Sequence, residues 1–105
     1  MKVLVNTPLK DYKNEDILDG DGKSLTVRDA IAIAINNYTQ TETPTAELKN
    51  KAFQISIKLF ANKEVDLTLD ERAFIKERAG LISGVVVYGR LCQILEDEKD
   101  DNIEK

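Results

Sequence analysis

The chain has no histidine and no tryptophan, a single cysteine (Cys92) and only two prolines in 105 residues. Without histidine it lacks the commonest metal ligand and the usual general base near neutral pH, which disfavours most hydrolytic, deaminase and zinc chemistries. A lone cysteine cannot form an internal disulfide. There is neither a secretory signal nor an apolar run approaching the ~18 residues that a membrane span needs, so a reducing cytoplasm is the predicted setting and no membrane partner is expected. What is present is 42% hydrophobic and 32% charged residues in 11.8 kDa. That balance suits one globular domain, expected over residues 1–95.

The formal charge of −4 is confined to one end. Residues 96–105 hold six acids and two lysines, leaving 13 charges of each sign in the remainder. The body is therefore formally neutral, without the basic excess of a module that clamps a phosphate backbone. With only Ile103 to bury, this end is predicted to be a solvated, disordered acidic tail.

Local signals predict an α+β fold, mostly α, with an N-terminal β-hairpin packed beside four short helices. Lys2 to Val5 is β-prone. Asp19-Gly20-Asp21-Gly22 supplies a tight reversal between Ile17-Leu18 and Ser24–Thr26, and Val65-Asp66-Leu67 is a bridge-length strand that could pair with this hairpin. Helices are predicted over 27–38, 44–61, 68–79 and 84–96. Thr26 caps the first, Thr43 with Pro44 starts the second, Thr68-Leu69-Asp70-Glu71 is a capping box for the third, and Gly80 stops it. Ala30 to Ile35 alternates Ala and Ile, which also suits a strand; three alanines and the cap favour helix. Ile33 falls opposite that helix's main stripe, which predicts cover on more than one side. The second helix carries two stripes, Leu48/Ala52/Ile55/Leu59 and Phe53/Ile57/Phe60, an arc wide enough to predict a place between two partners. The third has little to bury and is predicted on the surface. On the fourth, Val85 and Val86 point away from the stripe of Val87, Tyr88, Leu91, Ile94 and Leu95. No internal repeat is evident.

Candidate chemistry is sparse. Asp19 to Gly22 fits no calcium-loop register, because placing the required glycine puts Ile17 at a ligand position. Asp66, Asp70 and Glu71 form a carboxylate cluster that the capping box already explains, and no phosphate-binding glycine motif occurs. Cys92 has no base to activate it and reads as a small buried side chain. No catalytic residue, cofactor or metal site is predicted. Residues 72–94 could imitate a helix-turn-helix, but Gly84-Val85-Val86-Val87 is apolar where a recognition helix needs polar side chains.

Pro8-Leu9-Lys10-Asp11, Asp21-Gly22-Lys23, Leu25 to Ile31 (L-T-V-R-D-A-I), Val65 to Glu71 (V-D-L-T-L-D-E) and Phe74-Ile75-Lys76, with a closing apolar helix, resemble the small uncharacterised proteins of tailed bacteriophages and prophages. The resemblance implies a bacterial host cytoplasm and action by binding host machinery or phage components. From the residues themselves, the predicted function is non-enzymatic protein binding through Val85, Val86 and Arg90 together with the uncovered side of Phe53, Ile57 and Phe60. The partner is another protein or a second copy of the chain. The alternative is a nucleic-acid-associated regulator, which would gather Arg72, Lys76, Arg78 and Arg90 into one basic patch. A small enzyme would instead need a concave pocket with two or more shifted carboxylates.

Overall fold

Thr26 accepts a hydrogen bond from Asp29 N, and from that cap α1 runs Val27–Asn36. The computed structural model describes residues 1–96; residues 97–105, which make up most of the predicted acidic tail, lie outside the described residues. Around α1 the order is β1 (Lys2–Leu4), α1, α2 (Ala46–Ala61), β2 (Glu64–Asp66), α3 (Leu69–Ile82) and α4 (Val85–Ile94), an α+β fold that is mostly α. β1 and β2 pair antiparallel in a two-stranded sheet, with Val3 opposite Val65. Alternation along each strand turns these two valines into the core and Lys2, Leu4, Glu64 and Asp66 outward.

α1 is the hub. α2, α3 and α4 all pack on it, and it buries Val27, Ala30, Ile31, Ala34 and Ile35. Ile33 is not covered as the sequence predicts: it is exposed, beside a shallow depression lined by Ala30, Ile82 and Val87. α1 also ends two residues early. The side-chain amides of Asn36 and Asn37 donate to the carbonyls of Ala32 and Ile33, which satisfies the last turn and lets Asn37 go extended.

The α3 cap is the capping box expected. Thr68 Oγ1 accepts from Glu71 N at 3.1 Å, and Glu71 Oε1 accepts from Thr68 N at 2.9 Å. Two expectations for this helix are corrected. It does not stop at Gly80 but continues to Ile82, with Gly80 facing the Tyr88 ring of α4 where the two helices meet. Nor is it a surface helix: Arg72, Phe74, Ile75, Arg78 and Ala79 are buried between α1 and α4. α2 begins after Pro44, capped by Thr45 instead of Thr43, because the Thr45 hydroxyl is the one that reaches Leu48 N.

Between β1 and α1 the chain makes two turns of one design. The predicted reversal at Asp19 is there, and its carboxylate accepts from the N–H groups of Asp21 and Lys23. Eight residues earlier, Asp11 accepts from Lys13 and Glu15 in the same way. Each turn places its fourth residue at positive φ, Asn14 at 64° and Gly22 at 81°. The segments between them close a ring: Leu9 N donates to Leu25 O, Leu25 N to Ile17 O, and Ile17 N to Leu9 O. Three bridges flank it, Pro8 with Thr26, Lys10 with Asp16 and Leu18 with Ser24. An eight-residue repeat, P-L-K-D-Y-K-N-E followed by D-I-L-D-G-D-G-K and S-L-T-V, thus underlies a segment that reads from sequence as one hairpin. Leu9 and Leu25 are buried at its centre, with Ile17 partly buried beside them.

Candidate protein-contact surface

α2 has two apolar stripes and one covering neighbour for them. Ala52, Ile55 and Leu59 are buried on the α1 side. Phe53, Ile57 and Phe60, at i, i+4 and i+7, share the opposite side and are 59%, 52% and 63% exposed. The expectation that α2 lies between two partners is therefore not met among the described residues: its second stripe is open. α3 does reach α2, but along the polar edge. Lys51 bridges to Asp70 at 3.2 Å and lies over the Phe74 ring, and Lys58 bridges to Glu71 at 2.6 Å.

The end of the stripe is held rigidly. Arg28 of α1 donates from Nε to Leu59 O at 2.6 Å and from Nη2 to Asn62 O at 2.9 Å, satisfying terminal carbonyls of α2. Its guanidinium also lies 5.7 Å from the Phe60 ring centroid, fixing one face of that ring and leaving the rest to solvent. Beside Ile57 and Ala61, where α2 meets β2, is a depression of about 430 Å³ rimmed by Lys58, Glu64 and Asp66.

The second predicted set lies elsewhere. Val85 is 79% exposed, and Val86 is half-buried in a depression of about 280 Å³ that it shares with Tyr12, Gly89 and Gln93. Arg90 is committed to structure, donating to Lys10 O at 2.9 Å and Asp11 O at 2.8 Å, so that it ties the first turn to α4. Tyr12, which the sequence offers with Leu9 as a residue to pack, is instead exposed at the tip of that turn and joins this surface. Its place as second residue of the D-Y-K-N-E turn was the available signal. The α2 and α4 sets do not merge, since each helix packs on α1 and the two share no comparable contact.

The four basic residues named for nucleic-acid binding do not form a patch. Arg72 and Arg78 are buried, and of the two partly exposed residues, Lys76 and Arg90, the latter is the clamp just described. Arg78 makes a forked pair with Glu42 (Nη1 to Oε2 2.5 Å, Nη2 to Oε1 3.0 Å), donates to Asn37 O at 2.7 Å and stacks over Tyr38. It thereby pins the 37–42 linker to α3. Arg78, with the Thr39 N–H, holds the Glu42 carboxyl at about 2.

The three candidate carboxylates are each engaged. Asp66 receives the amino group of Met1 at 3.1 Å, and that amine keeps its carboxyl below the usual range. Asp70 takes Lys51. Burial pushes the Glu71 carboxyl up, but Lys58 and the Thr68 N–H outweigh it and leave it below its ordinary value. Cys92 is half-buried, and its nearness to Tyr88 raises the phenol above its ordinary value. Among the described residues no group of three or more His, Cys, Asp or Glu side chains is placed to hold a metal ion, and no helix is long and apolar enough to cross a membrane.

Comparison with known proteins finds no matching family, no matching curated sequence and no matching solved structure.

Proposed function

We propose that this chain is a non-enzymatic protein-binding module whose principal contact surface is the outer face of α2, formed by Phe53, Ile57 and Phe60. One observation carries the reading. Two phenylalanines and an isoleucine stand more than half exposed in a single stripe, on a helix whose opposite stripe is fully used by the core. Solvent gives such a stripe no stabilisation, and contiguous apolar surface of this kind on a small protein marks a contact site. Phenylalanine suits the role, because it buries a large area while fixing only two side-chain torsions. Val85 and Val86, with Tyr12, provide a second and smaller apolar contact. A partner among host machinery or phage components is part of this proposal.

The test is affinity purification of the tagged chain from a bacterial cytoplasm beside its Ile57→Asp and Val86→Asp variants, with mass spectrometry of what co-elutes. The reading expects both variants to fold and Ile57→Asp to lose the captured protein, whether another polypeptide or untagged copies of the chain. Identical capture by all three proteins contradicts it.

A further inference from the structure

We infer that Arg72 anchors an intramolecular latch: a carboxylate of Asp97 or Glu98, from the acidic segment that follows α4, pairs with its guanidinium and holds the end of α4 against α3. The α2 face plays no part in it.

α3 carries two buried arginines in unequal surroundings. Arg78 meets the Glu42 carboxylate in a forked pair, with Asn37 O and the Tyr38 ring beside it. Arg72 is 7% exposed, yet among the described residues it has neither an ion pair nor a ring, and its one side-chain hydrogen bond, from Nη1 to Leu95 O, is 3.5 Å long. Nε is without a partner in both arginines, so the difference between them lies in the counter-charge. A guanidinium cannot shed its proton, and burying one without an opposite charge is strongly unfavourable. Its neighbours on α3 are already taken, Asp70 by Lys51 and Glu71 by Lys58. Its place one turn into α3 adds the positive end of that helix's dipole. The direction of the side chain identifies the missing partner. Nη1 reaches Leu95, where α4 ends and the run Glu96-Asp97-Glu98 begins. Glu96 is exposed and makes no ion pair among the described residues. Asp97 is two residues beyond Leu95, which keeps its Cα within about 7 Å of the Leu95 Cα, and Glu98 is one residue further with a longer side chain. Either carboxylate can give Arg72 the two-pronged contact that Glu42 gives Arg78.

Nuclear magnetic resonance of the whole chain tests this. The Arg72 Nε–Hε resonance, assigned by its loss in Arg72→Lys, should shift in the double variant Asp97→Asn/Glu98→Gln. It should stay in place in Glu96→Gln/Glu104→Gln, which removes the same charge from the same end of the chain. In urea denaturation the first double variant should raise the unfolding equilibrium constant about tenfold, the size of effect expected when two residues in contact are uncoupled, and the second should leave it within about twofold. In an Arg72→Met background, Asp97→Asn/Glu98→Gln should change nothing, because the guanidinium it served is gone. An Arg72 resonance and an unfolding constant that respond alike to the two double variants overturn the proposal, as does a tenfold effect that persists undiminished in Arg72→Met. Should Arg72→Met fail to fold, the two double variants, which leave every buried residue of the core in place, decide the matter by themselves.

Discussion

Arg78 shows how one side chain can set the course of a whole linker. It is 2% exposed, and its guanidinium binds Glu42, Asn37 O and the face of Tyr38 at once, so residues 37–42 are held although they form no regular structure. Replacing it with methionine keeps the stem but strands the Asn37 carbonyl and Glu42, and should destabilise the fold by about 2 kcal/mol or more in urea denaturation. Glu42 supplies the pH dependence. Its carboxyl is held at about 2 in the folded chain against an ordinary 4.5. Its contribution is therefore complete above 4.5 and disappears as pH falls towards 2. Stability measured from pH 5 to pH 2 should drop less steeply in Glu42→Gln than in the parent; parallel curves would show that the pair contributes nothing to folding. Neither residue was legible as a pair in the sequence. They are 36 positions apart, and a helical wheel assigns an arginine to solvent unless something charged comes to meet it.

At the scale of elements, local chemistry was legible and mutual arrangement was not. The Thr26 and Thr68 caps, the turn at Asp19 and the number of helices follow from residues within a few positions of each other. Which helix lies at the centre depends on which stripes meet. α3 has little apolar material and reads as peripheral, yet it is buried because two of its arginines are accommodated beneath α4 and the 37–42 linker. The eight-residue repeat was hidden for another reason: its shared features are one apolar residue, one aspartate and one positive-φ position, filled once by asparagine and once by glycine. Two substitutions probe the corrected α3. Thr68→Ala should lower stability by about 1 kcal/mol through loss of the cap. Gly80→Ala should raise it by about 0.5–1 kcal/mol, because Gly80 is helical and an added methyl would sit 3.4 Å from a half-exposed Tyr88 ring that can yield. A loss of stability in Gly80→Ala would mean that the approach of α3 to α4 tolerates no side chain there.

Across the whole molecule, the candidate surface was half legible. Periodicity placed Phe53, Ile57 and Phe60 on one stripe, but a wide apolar arc describes a sandwiched helix and an exposed binding helix equally well. The fold distinguishes them by giving α1 the inner stripe and, among the described residues, leaving the outer one more than half exposed. Val85, Val86 and Arg90 did gather as a group, with Arg90 turned to structural use. A chain whose core is complete without the outer stripe of α2 should tolerate a charge on it, so Ile57→Asp should shift the melting temperature by no more than a surface substitution does, within about 0.5 kcal/mol. The most direct measurement is affinity purification of the tagged parent chain and of Ile57→Asp from the same bacterial cytoplasm, with mass spectrometry of what co-elutes. The parent should capture a protein that the variant loses while the two keep the same far-ultraviolet spectrum; identical capture by both would contradict the account.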